Sequence, residues 1–137
     1  MTSVPENRLI IRAENLRMGF PKGPQDQEMQ WVVEGLDFEL RAGECLGLVG
    51  ESGSGKSLTA LALLGLQPPQ TVFGTESRLW YHEKDKEAVN LLALPEKERR
   101  KYRGRCLAMV FQEPMTALNP VWTCGAQVAE ALRIHEH

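Results

Sequence analysis

Eight consecutive residues, Gly50-Glu51-Ser52-Gly53-Ser54-Gly55-Lys56-Ser57, put backbone freedom, one cation and one hydroxyl at the spacing G-x-x-x-x-G-K-[ST] of a phosphate-binding loop. The glycines let the backbone enter turn conformations closed to residues with a Cβ and come close to a ligand. Successive N–H groups then converge on one concavity, an anion nest. Lys56 can reach the β- and γ-phosphates of a nucleoside triphosphate, and the Ser57 hydroxyl can ligate Mg2+. The candidate nucleotide contacts are therefore Gly50, Glu51, Ser52, Gly53, Ser54, Gly55, Lys56, Ser57 and the adjoining Leu58.

The flanking residues supply the elements such a loop needs. Cys45-Leu46-Gly47-Leu48-Val49 is a short apolar run, expected to be a buried parallel strand. Leu58 to Leu64 predicts a buried helix ended by Gly65. Strand, glycine-rich loop and helix in succession place the loop on a helix N-terminus, whose positive end favours anions. A flexible Gly/Ser turn would not require that context. A second apolar run, Cys106 to Phe111, predicts another buried strand, which delivers Gln112-Glu113-Pro114 to its carboxyl end, where open α/β sheets place their sites.

Ahead of the loop, Leu9 to Met18 alternates as a strand does, and Gly19 to Gln27 is rich enough in Pro and Gly to read as a loop. Trp31-Val32-Val33 and Leu36 to Leu40 read as a second strand, with Arg41 to Glu44 turning the chain into the loop-bearing run. An antiparallel pair is thus expected to precede a parallel core. Beyond the first helix, Gln67 to Gln70 breaks the chain, and strand character returns at Arg78 to Tyr81. Ala88 to Leu94 is ambiguous. Pro95 to Tyr102 predicts a helix with proline at its first position. Its interleaved charges read as a solvated face rather than a nucleic-acid contact. Met115 to Trp122 is a loop, and Thr123 to His137 opens a helix with Val128, Ala131 and Leu132 on one face.

The 137 residues are 42% hydrophobic and 25% charged, with a net charge of -2, so one ordinary domain with a core is expected and a non-specific nucleic-acid binder is not. Cys45, Cys106 and Cys124 are odd in number and form no C-x-x-C pair, which favours reduced thiols in a cytosolic setting. No apolar run has signal-peptide or membrane-span length, so membrane association is expected to go through a partner. His82, His135 and His137 read as solvated side chains rather than metal ligands.

Val49 to Ser57 followed by Phe111-Gln112-Glu113-Pro114-Met115-Thr116-Ala117-Leu118-Asn119-Pro120 resembles the nucleotide-binding subunit of an ABC transporter, most of all the oligopeptide/dipeptide importer group. Arg103-Gly104 and Gln127 to Leu132 fit the same group. The resemblance implies an α/β fold, a P-loop NTPase core of ABC type with an N-terminal antiparallel β subdomain. Residues 1–44 would form that subdomain, 45–112 the core up to the Q-loop, and 113–137 the Q-loop and the start of a helical subdomain. It implies ATP and Mg2+ as cofactors, and it makes Lys56 and Gln112 the catalytic candidates, with Ser57 and Gln112 toward the metal and Gln112 also toward the attacking water. Phe20 falls where the family places an aromatic, usually tyrosine, that stacks on adenine.

The same resemblance implies a second nucleotide-binding subunit and membrane-spanning permease subunits as partners, the latter met around Met115 and Leu118 at the cytoplasmic face of the membrane. The chain departs from the family pattern after Gln112. It has no L-S-G-G-Q signature, no apolar strand ending in Asp-Glu and no switch histidine, so the resemblance covers the first part of that domain, ahead of the signature and Walker B regions. Glu113 reads as a Q-loop residue rather than a general base. Hydrolysis by these residues alone is not expected. Two other readings stay open: a non-catalytic remnant that binds nucleotide or a partner, and a small kinase whose lid would use Arg99, Arg100, Arg103 and Arg105.

Overall fold

The longest alternating stretch becomes the middle of a sheet. In the computed structural model, which describes residues 7–23, 28–111 and 118–135, β1 (Leu9–Pro21) pairs antiparallel along its length with β2 (Met29–Arg41). Its other edge is shared. β3 (Val72–Phe73) lies against Met18 and Gly19, and β4 (Arg78–Tyr81) against Ile11 to Glu14. β5 (Val89–Asn90) continues the sheet beyond β4. All these pairings are antiparallel.

Two compensating bulges keep one face of β1 apolar. Ile11 and Ala13 are buried, and then the buried positions become Leu16 and Met18. The change of parity falls at Asn15, whose φ is +44°. Its partner strand returns the extra residue at Gly35, φ +66°, so that Leu16 faces Leu36 and Met18 faces Val33. Polar side chains satisfy the interrupted ladder. The Asn15 N–H donates to Asp37 Oδ1 at 2.7 Å, and Ser77 Oγ donates to the Asn15 carbonyl at 3.0 Å while accepting the Arg17 N–H at 2.9 Å.

The apolar face carries Ile11, Ala13, Leu16, Met18, Val33, Leu79 and Tyr81, joined by Leu91 and by Ala62 of helix α1 (Lys56–Leu64). Asn90 begins the 3-10 turn Leu91–Ala93, its Oδ1 accepting the N–H groups of Leu79 and Leu92, both at 3.2 Å. Short helix α2 (Glu96–Arg99) starts one residue after Pro95, so the proline stands just outside the helix rather than at its first position. The expected last helix is α3 (Cys124–His135), with Thr123 Oγ1 accepting the Ala126 N–H at 3.3 Å.

Three expectations are corrected. The strand β1 runs on through Gly19, Phe20 and Pro21, which were expected to lie in a loop; opposite Gly19 the backbone of Gln30 and Trp31 comes too close for any Cβ. Cys45 to Val49 is not a buried strand. Among the described residues it has no ladder partner, and Val49 is 95% exposed. Cys106 to Phe111 is likewise no buried strand. It contributes only a bridge from Leu107 to Arg103, and Val110 is 96% exposed. The reason is physical: a parallel strand takes both its hydrogen bonds and its covered faces from neighbours, and no described strand pairs with either run. The sheet seen among the described residues is therefore antiparallel, and no helix there is long and apolar enough to cross a membrane.

Candidate phosphate site

The loop from Gly50 to Gly55 closes onto the start of α1. Gly53 (φ +82°) and Gly55 (φ +88°) are both left-handed, as the turn requires. The Ser54 N–H donates to the Glu51 carbonyl at 3.2 Å. The first bond of α1 runs from the Thr59 N–H to the Gly55 carbonyl at 2.8 Å, reinforced by Thr59 Oγ1 at 2.9 Å. The N–H groups of Lys56, Ser57 and Leu58 thus precede the first intrahelical bond and have no acceptor within the helix. They stand at the positive end of the helix dipole, the arrangement that receives anions.

The Lys56 ammonium lies inside the curl of this loop. It donates to the carbonyls of Gly50 at 2.9 Å and Glu51 at 2.6 Å, and to Ser54 Oγ at 3.4 Å. The loop therefore holds its cation where incoming phosphate oxygens would meet both the ammonium and the helix amides. Ser57 is exposed beside it, whereas Leu58 is half-buried with its side chain in the apolar cluster, leaving its backbone N–H as the group it can offer.

The loop is seated against Val32 and Val33 of β2. A Cβ on Gly55 would overlap Val33 Cγ2 and crowd Val32. Between loop and strand lies a cavity of about 300 Å3, walled by Leu48, Val49, Gly50, Ser54 and Lys56 on one side and Val32 to Leu36 on the other, with Thr59 between. Among the described residues no group of three or more His, Cys, Asp or Glu gathers as a metal site. The one donor of this loop suited to Mg2+ is the Ser57 hydroxyl, the type that such loops offer to the ion beside phosphate oxygens.

Other candidates fall elsewhere. Phe20 sits on β1 opposite Gln30, half-buried, and is not among the residues walling the cavity. Leu118 is exposed, at 53%. Gln112, Glu113 and Met115 lie outside the described residues.

One role is not foreseen by the motifs. Arg103 reaches the far end of α1, where Nε donates to the Leu64 carbonyl at 2.5 Å and Nη2 to that of Gly65 at 3.0 Å. The same guanidinium holds Glu96 through two bonds of 2.6 and 2.9 Å, which keep the Glu96 carboxyl below the usual range. Arg99 packs on Gly65 in the space a Cβ would fill, and burial lowers its pKa. The available sequence signal was Gly65 itself: a helix ending at glycine leaves carbonyls in need of donors.

Residues 33–135 match the model of the ABC transporter family. The chain belongs to the ABC transporter family. The match runs from Val33 in β2 through the phosphate loop to His135 in α3, and an antiparallel sheet beside the loop helix is consistent with the N-terminal subdomain of this family. Over 128 residues the chain is 41% identical to the glutathione import ATP-binding protein GsiA of Escherichia coli (strain K12), covering 93% of this chain and 20% of that protein. The GsiA protein of Shigella boydii serotype 4 (strain Sb227) gives the same figures. A probable peptide ABC transporter ATP-binding protein, y4tR of Sinorhizobium fredii (strain NBRC 101917 / NGR234), is 40% identical over 135 residues, 98% of this chain and 38% of that protein. The chain thus spans well under half the length of these ABC relatives.

Proposed function

We propose that these residues form the nucleotide-binding part of an ABC importer's ATP-binding subunit, serving the uptake of peptides or related small solutes. The observation that carries this reading is the Lys56 ammonium held within the Gly50–Ser54 curl at the N-terminus of α1. On binding, Lys56 exchanges the Gly50 and Glu51 carbonyls for β- and γ-phosphate oxygens, and the amides of Gly53 to Leu58 take up the remaining phosphate charge. Ser57 and Gln112 would hold a magnesium ion, and Gln112 would also orient the attacking water. Phe20 offers its ring to adenine. Bound Mg-ATP supplies the phosphoanhydride and the metal charge that neutralises it.

In this reading Met115 and Leu118 meet a permease subunit at the cytoplasmic face of the membrane, and a second nucleotide-binding subunit completes the assembly. Against the kinase alternative, two of its four lid arginines are engaged within the fold: Arg103 with the end of α1 and Glu96, and Arg99 with the carbonyls of Leu92 and Leu94. Competition against a fluorescent ADP analogue tests the reading. Inorganic triphosphate and ATP should both displace it, and adenosine alone should not. Displacement by adenosine but not by triphosphate would contradict a phosphate-led site. In the same assay Phe20→Ala should reduce the preference for ATP over triphosphate by about tenfold, the scale of one base–aromatic stack. An unchanged preference with lowered thermal stability would assign Phe20 to sheet packing.

A further inference from the structure

Helix α1 carries the phosphate loop at one end, and at the other its last carbonyls are held by Arg103 while Arg99 packs on Gly65. Its C-terminus closes in a Schellman motif, with the Leu66 N–H donating to the Leu61 carbonyl at 2.9 Å and the Gly65 N–H to that of Ala62 at 3.1 Å. The carbonyls of Leu64 and Gly65 are taken by Arg103, which also grips both oxygens of Glu96. The Arg103 side chain is only 22% exposed and its bonds to the carbonyls are partly buried, whereas Glu96 is 61% exposed and holds the guanidinium from the solvent side. The backbone at this point turns toward the second motif. Gly104 N–H donates to the Leu107 carbonyl at 2.8 Å, and Leu107 lies in the run that leads to Phe111 and, along the chain, to Gln112.

We propose that Arg103 is a positioning residue for the phosphate loop. By clamping the last carbonyls of α1 to Glu96, it fixes the tilt of that helix, and with it the placement of the Lys56–Leu58 amides against β2. The proposal rests on the reading of Gly50 to Leu58 as a nucleotide-phosphate site. α1 has nine residues and is only about 13 Å long. Its N-terminal end is seated on Val33 through Gly55, so releasing the other end lets the helix pivot about that seat. The clamp also ties the segment running toward Gln112 to the helix that presents Lys56, so a shift in one is felt by the other. Four acceptors, two carbonyls and both oxygens of one carboxylate, suit the fork of a guanidinium. A lysine brings three donors on one point and cannot hold both carbonyls and a bidentate carboxylate.

The test uses Arg103→Lys and Glu96→Gln in this chain. Affinity for Mg-ATP and for inorganic triphosphate is measured by calorimetry, and thermal unfolding is followed in parallel to confirm that each variant is folded at the working temperature. Arg103→Lys should raise both dissociation constants by about fivefold, the scale of coupling between packed elements. Glu96→Gln should move them in the same direction and less far. A merely structural role would lower the unfolding midpoint while leaving the affinity of the folded protein unchanged, and that result would overturn the proposal alone. Wild-type binding that does not depend on Lys56 would overturn the phosphate-site reading and, with it, the proposal.

Discussion

Gly55 stands so close to Val33 that a β-carbon on it would overlap Val33 Cγ2, and its φ of +88° is one that side chains avoid. The phosphate loop is thus keyed to the sheet at a position where only glycine fits. Gly55→Ala should destabilise the fold by about 2 kcal/mol or more, combining left-handed strain with overpacking. Gly53 is the internal control, being equally left-handed at +82° but with open space around it. Gly53→Ala should cost about 1 kcal/mol, from strain alone. Denaturant unfolding of the two variants measures the difference, and equal losses would mean that Val33 yields.

Tyr81 should govern the alkaline limb of stability. Burial, followed by its contact with the Cys106 thiol, pushes its hydroxyl up to about 12. Its edge-to-face packing on Tyr102, with ring centroids 5.5 Å apart, is part of that burial. A folded pKa above the unfolded value of about 10 favours the folded state fully below pH 10, and that advantage is lost as pH rises from there through 12. Tyr81→Phe should flatten the fall in stability over this window while changing little at pH 7. An alkaline limb identical in both proteins would assign the transition to other groups.

Leu118 is exposed next to the stretch proposed to meet a permease. A cysteine at this position, in an assembled transporter built on the complete relative, should cross-link to a membrane-spanning subunit. Persistent failure in an assembly that transports would remove Leu118 from that interface.

How far the sequence could be read follows from which structures are local. Helix α1 was legible because the glycines before it and Gly65 after it fix its ends without reference to anything distant. The pairing of β1 with β2 was legible from alternation. The change of parity at Asn15 was not, since a bulge is specified by partners such as Asp37 and Ser77, 22 and 62 residues away. Cys45 to Val49 and Cys106 to Phe111 have the composition of buried strands, but composition cannot supply the neighbours a parallel strand needs. The contact of Arg103 with the end of α1 was not legible for the same reason. Its acceptors at Leu64 and Gly65 lie 39 and 38 residues back along the chain, and no local pattern announces them.

Phosphate release by these 137 residues should stay near background. Phosphoryl transfer needs neutralised γ-phosphate charge, a held metal and an aimed water, and the sequence offers no carboxylate at the end of an apolar strand for the last two. Losing one positioned transition-state group costs about 10²–10³ in rate. Release is measured against protein concentration with Lys56→Ala as the blank. A Lys56-dependent rate above about 0.1 s⁻¹, one-hundredth of a common turnover number, would mean that Glu113 or another carboxylate acts as a base.

The central claim is that the Gly50–Ser57 loop binds nucleotide phosphates through Lys56. Isothermal titration of the chain with Mg-ATP, beside Lys56→Ala at matched folded concentration, tests it most directly. Removing a charge-assisted contact of this kind should weaken binding by about ten- to a hundredfold, with inorganic triphosphate losing affinity in the same proportion. Equal affinity of wild type and Lys56→Ala for Mg-ATP would contradict the claim.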